Sequence, residues 1–178
     1  MADHRRRARK QAAGRGFTVS GEGADAAIEI ASAGGRRTLP ARDFFVDWYT
    51  TALAPGELVT AVLLPGPQAG GTGAYIKHAR VAGDYATASV AACLYPGGRL
   101  SVAIGACGPT PLVDEEANRL LSADRSDAAV ARAGALLEDL ADPLDDVRGT
   151  AAYRRLLIPR LLLRAVRTVE AADPRDRA

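Results

Sequence analysis

The hydrophobic period of this chain changes once, near residue 110, and that change restricts the fold more than any other feature. Ahead of it the apolar residues follow strand patterns. Ala26 to Ala31 alternates with period two, Leu58 to Leu64 is a β-rich run, and strands are predicted over about 74–81, 86–95 and 99–106. From Asp114 onward the spacing is helical. Glu115 to Ser122 reads as a short helix and Asp127 to Leu140 as an alanine-rich second one. In a third, Ile158, Leu161, Leu162, Ala165, Val166 and Val169 fall at i, i+3, i+4, i+7, i+8 and i+11, with Arg160, Arg164 and Arg167 on the wet face. Pro159 lies inside this stripe and should kink the helix or delay its start. Strands grouped before helices predict an α+β fold, with a three-stranded antiparallel sheet packed on a helical bundle.

Turn residues divide the chain further. Gly34-Gly35 should turn the first strand into a hairpin with Arg36 to Leu39, and Pro96-Gly97-Gly98 should join the last two strands. Pro65-Gly66-Pro67 stops a strand and opens a glycine-rich loop from Gln68 to Gly73, so a domain boundary is expected near 65–72. Phe44, Phe45, Trp48 and Tyr49 bring four of the nine large rings together and should pack across something large.

Composition matters mainly for what it excludes. A chain of 178 residues with 48% hydrophobic and 25% charged residues can bury a core, and a net charge of +2 implies no acidic partner. The cations crowd the start, where Arg5, Arg6, Arg7, Arg9, Lys10 and Arg15 precede no apolar run, so a secretory leader is not predicted. Residues 1–24 read as a disordered basic tail. A nucleic-acid arm would want interleaved aromatics, which are missing. Cys93 and Cys107 lack ligand spacing and read as reduced, buried and structural. No run is long and apolar enough to span a membrane. A cytoplasmic protein is expected.

No complete catalytic constellation emerges. His4 and His78 are the two histidines, and no cluster has metal-ligand spacing, so neither a metal site nor a catalytic residue is expected. Glu115-Glu116 and Asp145-Asp146 read as helix caps and loop charges, not as a catalytic dyad. The segment from Lys77 to Ala86 is more informative. It places a cation, Lys77, and a ring, Tyr85, close together, with Gly83 permitting close backbone approach and Asp84 able to orient a neighbour. A flavin wants such a ring against its face and a cation near its carbonyl edge. Exposed strand charges beside a core tyrosine are the commoner arrangement.

Several segments together resemble the flavoprotein (medium) subunit of the xanthine and carbon monoxide dehydrogenase family. They are Asp43-Phe44-Phe45; Leu53-Ala54-Pro55-Gly56-Glu57-Leu58-Val59; Leu64-Pro65; Lys77 to Ala86; Gly105 with Gly108-Pro109-Thr110-Pro111; and Arg148-Gly149-Thr150-Ala151-Ala152-Tyr153-Arg154-Arg155. The resemblance covers about residues 25–170. It implies residues 25–66 as the carboxy-terminal remnant of an FAD-binding α+β domain and 72–172 as a carbon monoxide dehydrogenase flavoprotein C-terminal-like domain. It implies an oxidoreductase subunit of the molybdopterin/FAD type, passing electrons from iron–sulphur clusters through FAD to an acceptor. A molybdenum-binding large subunit would hold molybdopterin and a small subunit the 2Fe-2S clusters. Lys77 matches a lysine near the isoalloxazine, Tyr85 the aromatic beside it, and Val59 an aliphatic residue lining the flavin or adenine side. Asp84 joins them as a cofactor-binding candidate, and Arg148, Tyr153 and Arg154 match a motif for helix docking and subunit contact. The family's Ala-Gly-Gly-Thr phosphate loop lies near the start of its subunit, so Ala69-Gly70-Gly71-Thr72 reads as a linker. The pyrophosphate-gripping glycine segments are not replaced elsewhere, and the isolated chain is expected to bind FAD weakly or not at all and to be inactive. The alternative is a truncated, non-catalytic α+β protein-interaction module.

Overall fold

The computed structural model describes residues 26–64, 71–81 and 83–173. The expected basic tail, the Pro65-Gly66-Pro67 stop and the first half of the loop after it lie outside the described residues.

The first unit is a small sheet of order β2-β1-β5, made of β1 (Ala27–Ser32), β2 (Gly35–Pro40) and β5 (Leu58–Leu63), all antiparallel. Ser32 pairs with Gly35, whose φ of 136° only glycine adopts readily, so the two-glycine signal turns the hairpin where expected. Alternation in β1 buries Ile28 and Ile30, which pack with Ala26, Ala41 and Phe44, while Glu29 faces out to Arg36 and Thr60. Between β2 and β5 the chain forms a single helical turn, α1 (Ala41–Phe44), and a short ribbon of β3 (Phe45–Asp47) and β4 (Thr50–Thr51). The expected aromatic cluster divides there. Phe44 meets Phe45 edge-on with centroids 4.9 Å apart, but Tyr49 sits at the ribbon's turn with φ 55° and is 93% exposed. A tight two-strand reversal takes priority over ring burial.

A bidentate pair closes this unit. Arg37 Nε and Nη2 donate to Glu57 Oε1 and Oε2 at 2.8 and 2.7 Å, and the Ala54 N–H donates to Oε2 at 2.7 Å. The clamp ties β2 to the loop that feeds β5.

The second unit carries the larger core. Its sheet runs β6-β7-β8, from β6 (Thr72–His78), β7 (Ala88–Leu94) and β8 (Leu100–Gly105), antiparallel throughout. The inner face presents Val90, Ala92, Leu94, Leu100, Val102 and Ile104 to three helices: α2 (Glu115–Ala123), α3 (Asp127–Leu140) and α4 (Ala151–Ala171). All six residues of the sequence stripe on α4 are buried. The α+β class and the sheet-on-helices layering are therefore as the periodicity predicts. Asp114, Ser126 and Thr150 cap the three helices by accepting from Ala117, Ala129 and Tyr153 N–H groups. The free edge of β8 is closed by side chains of α2: Ser122 Oγ accepts from Leu100 N and Asn118 Oδ1 from Val102 N, each at 2.9 Å.

Helix α4 departs from expectation at its start. It begins at Ala151, eight residues before Pro159, so the proline sits in the interior and does not delay the helix. Gly134 on α3 packs directly beneath it. A Cβ placed at Gly134 would lie 2.9 Å from Pro159 Cβ and 3.2 Å from its Cα, so glycine is what lets the two helices approach.

Two outcomes follow from this packing. Gly134→Ala should cost about 1–3 kcal/mol of overpacking, which exceeds the roughly 1 kcal/mol of helix propensity it gains. Thermal unfolding should show a lower midpoint, and a raised midpoint would contradict the close approach. The Arg37 bonds, joined by the Ala54 N–H, pull the Glu57 carboxyl down to about 2. Because this lies below the unfolded value of about 4.3, the clamp stabilises fully above that pH and its contribution fades as pH falls toward the folded value. In urea titrations Glu57→Gln should be less stable than the parent at neutral pH, and the gap should close between about pH 4 and pH 2. A gap that persists to the acid end would contradict the clamp.

Candidate flavin-facing site

Lys77 and Tyr75 project from the outer face of β6, since the pattern of β6 alternates exposed and half-buried. The loop from β6 to β7 then returns to place Asp84 against Lys77. The Lys77 ammonium donates to the Asp84 carbonyl at 2.8 Å. Asp84 Oδ1 accepts the Tyr85 N–H at 2.7 Å, and Gly83 takes φ 89° to make the turn, with nothing within 4 Å of where a Cβ would stand. Lys77, Asp84 and Tyr85 therefore form one group. Val59 does not join it: it lies on β5 of the first sheet, opposite Ile30, and is 41% exposed.

The electrostatics of the group are asymmetric. The Asp84 carboxylate is matched by Arg148, whose Nε and Nη2 both lie 3.4 Å from Oδ1. Lys77 is bonded to a neutral carbonyl and, among the described residues, ion-pairs with no carboxylate. One positive charge is left uncompensated beside a tyrosine that is 52% exposed. The Arg148 guanidinium covers a face of that tyrosine, 5.1 Å from the ring centroid. Tyr153 and His78 add a neighbouring contact, hydroxyl to Nε2 at 3.1 Å.

Beneath this surface lies a residue whose importance the sequence pattern conceals. Arg154 is 2% exposed. Its Nη1 donates to the carbonyls of Thr87 at 2.6 Å and Ala106 at 3.1 Å, and its Nη2 to Asp146 Oδ1 at 2.5 Å. Asp146 Oδ1 also accepts the Arg148 N–H at 2.7 Å, and Asp145 Oδ1 accepts the N–H of Ala151. The acid pair Asp145-Asp146 thus terminates backbone and guanidinium donors and is not simply solvated. Burial works to raise the Asp146 carboxyl, but the Arg148 N–H and the Arg154 guanidinium outweigh it and hold it below the ordinary range. One signal was available: Arg154 stands four residues before Ile158 and so continues the buried stripe of α4. Cys107, also buried, has its thiol pushed up to about 12 by burial against the partial relief of Arg154 and Arg155. Neither Cys93 nor Cys107 is in a disulfide, and Cys93 is only half-buried.

A cleft of about 840 Å³ opens elsewhere, between the start of β1 and helix α2, with Arg42, Arg99, Glu115 and Arg119 on its walls. None of Val59, Lys77, Asp84 or Tyr85 lines it. Among the described residues no cluster could hold a metal ion, and no helix is long and apolar enough to cross a membrane.

An FAD isoalloxazine fits the chemistry of the donor set. The ring is electron-rich when reduced and carries carbonyl acceptors at one edge, and the group offers an uncompensated ammonium, a half-open phenol and a glycine with clear space above it.

Residues 73–169 match the model of the CO dehydrogenase flavoprotein C-terminal domain, and residues 21–67 that of the FAD binding domain in molybdopterin dehydrogenase. The carbon monoxide dehydrogenase medium chain of Afipia carboxidovorans is 40% identical over 82% of this chain and 52% of its own length. The nicotine 6-hydroxylase medium subunit of Paenarthrobacter nicotinovorans is 36% identical over 78% of this chain and 50% of its own. Among solved structures, carbon monoxide dehydrogenase from Hydrogenophaga pseudoflava superposes with a TM-score of 0.82 at 29% identity, covering 88% of this chain and 56% of that one. Reconstituted CO dehydrogenase from Oligotropha carboxidovorans does so with a TM-score of 0.79 at 37% identity, covering 87% and 56%. The chain spans about half the length of the curated relatives it matches. On these matches and this fold, the chain belongs to the FAD-binding medium-subunit family of the xanthine and carbon monoxide dehydrogenases.

Proposed function

We propose that this chain forms one wall of an FAD site in the medium subunit of a molybdenum hydroxylase. The bound FAD would supply the redox chemistry, between iron–sulphur clusters on a small partner subunit and an external acceptor. The large partner would hold the molybdenum centre and choose the substrate. The observation that carries the reading is the Lys77 ammonium, fixed by the Asp84 carbonyl next to Tyr85 and left, among the described residues, without a counter-charge.

Each residue has a distinct task in this reading. Lys77 donates to a carbonyl at the ring's edge and favours electron density there. Tyr85 lies against the ring and excludes water from one side. Asp84 orients both without spending its carboxylate on the lysine. Val59, on the first sheet, would meet the adenine or the far side of the flavin. The same reading assigns residues 25–66 and 72–172 to the two domains that flank the cofactor. It places the assembly in the cytoplasm, where thiols such as Cys93 and Cys107, neither of them in a disulfide, stay reduced.

The group around Lys77 offers a pyrophosphate dianion one ammonium and no cradle of backbone amides, so this chain by itself should hold FAD weakly and be inactive. The test is spectral. The purified chain should be colourless, whereas an assembly that includes the phosphate-binding polypeptide and both partner subunits should be yellow. In that assembly Lys77→Met should weaken FAD retention about tenfold or more, as the loss of one charge-assisted bond of roughly 1.5–3 kcal/mol requires. A colourless assembly, or a Lys77→Met form with unchanged FAD affinity, would remove the proposal; a yellow isolated chain would remove only its statement about weak binding.

A further inference from the structure

We propose that Arg148 is a positioning residue for this site: its guanidinium lies behind Tyr85, fixes the plane of that ring, and neutralises the Asp84 carboxylate so that the Lys77 charge is not offset at the flavin-facing wall. The inference rests on the reading of Lys77 and Tyr85 given above, and it concerns a residue on the far side of the fold's sequence, 63 positions after the tyrosine it serves.

The segment that carries Arg148 is held at several points. Its N–H donates to Asp146 Oδ1 at 2.7 Å, and its carbonyl accepts from Thr87 Oγ1 at 3.3 Å. Asp146 is itself fixed by the buried Arg154. Gly149, the next residue, is wedged so closely that a Cβ there would stand 3.1 Å from Thr87 Cγ2 and 3.2 Å from Tyr153 Cδ1. The backbone of Arg148 is therefore pinned to the end of the β6–β7 loop. Its side chain reaches back over that loop, to Asp84 Oδ1 at 3.4 Å and over the Tyr85 ring at 5.1 Å. Asp84 in turn supports Lys77 through its carbonyl and Tyr85 through its carboxylate. One guanidinium thus touches the acid and the ring that define the group. A planar cation suits this place because it can meet a carboxylate and lie over an aromatic face together, which an ammonium does poorly.

The consequence is a charge effect separable from binding. A cation near a redox ring favours its reduced, more negative state, and Arg148 is 28% exposed in its side chain, so solvent screens it only in part. The experiment uses the flavin-loaded assembly containing this chain, with Arg148→Gln and Arg148→Lys beside the parent. Three quantities are read: FAD content, the midpoint potential by equilibrium titration, and the shape of the visible flavin band. Arg148→Gln should keep FAD but shift the potential negative, by about tenfold in the reduction equilibrium, or roughly 30 mV for a two-electron couple. Arg148→Lys should restore most of the potential yet alter the band, because the ring is no longer held flat. Unchanged potential and band in a folded, FAD-containing Arg148→Gln assembly would overturn the inference. Should that variant not fold, an Arg148→Lys assembly with the parent's band overturns it equally. Failure of the underlying reading looks different, since the parent assembly would then carry no FAD.

Discussion

The structure of the second unit depends on one buried guanidinium. Arg154 leaves water almost completely and, in exchange, binds the carbonyl at the start of β7, the carbonyl after β8 and the carboxylate of Asp146. A single side chain of α4 thereby joins the two ends of a hairpin to the loop that launches the helix. Burying a cation costs several kcal/mol unless it is paired and hydrogen-bonded, so the geometry around it must be nearly complete. It is complete but for Nε, which has no hydrogen-bond partner among the described residues. Apolar packing of the α4 stripe supplies the attraction between helix and sheet, while Arg154 specifies the register at which they meet. Ala106, which presents one of its acceptors, takes φ 64°, a conformation a non-glycine residue adopts only where its surroundings compel it.

Much of this is legible in the sequence. The six-residue stripe of α4, the glycine turns and the alternation of β1 each state a period, and a period survives folding because it is the geometry of one element. What did not survive was whatever depended on a partner. Pro159 looks like an obstacle within α4, yet the helix accommodates it because Gly134, 25 residues earlier on α3, leaves room for the ring. Tyr49 looks like part of a core cluster, yet a two-residue reversal sets its direction. Arg154 looks wet because arginine usually is; its place in the stripe and in the helix-docking motif argue otherwise.

The site follows the same division. Lys77, Asp84 and Tyr85 are near one another in sequence, so their grouping could be read from the segment itself. Val59 belongs with them by resemblance alone and stands on another sheet, so any joint contact with one ligand depends on a molecule that spans both units. Arg148, Asp146 and Arg154 reach the same corner from the far end of the chain, and no local pattern connects them to Lys77. Long-range polar contacts of this kind carry no periodic signature.

The unpaired state of Lys77 is then the informative property of the site. In the structure the ammonium is exposed, so water stabilises it and the fold bears little cost for leaving it without a carboxylate. The nearby acid is not free to neutralise it, since Arg148 already occupies the carboxylate and leaves the lysine only a carbonyl. A planar ring laid against Tyr85 would expel that water and lower the local dielectric, and a charge that had been cheap would become strong, because the interaction of unit charges grows several-fold as the effective dielectric falls from about 80 toward 20. The arrangement therefore stores little energy when the wall is bare and delivers its field when the wall is covered. A Lys77–Asp84 carboxylate pair would have done the reverse, spending the charge inside the protein whether or not a ligand was there.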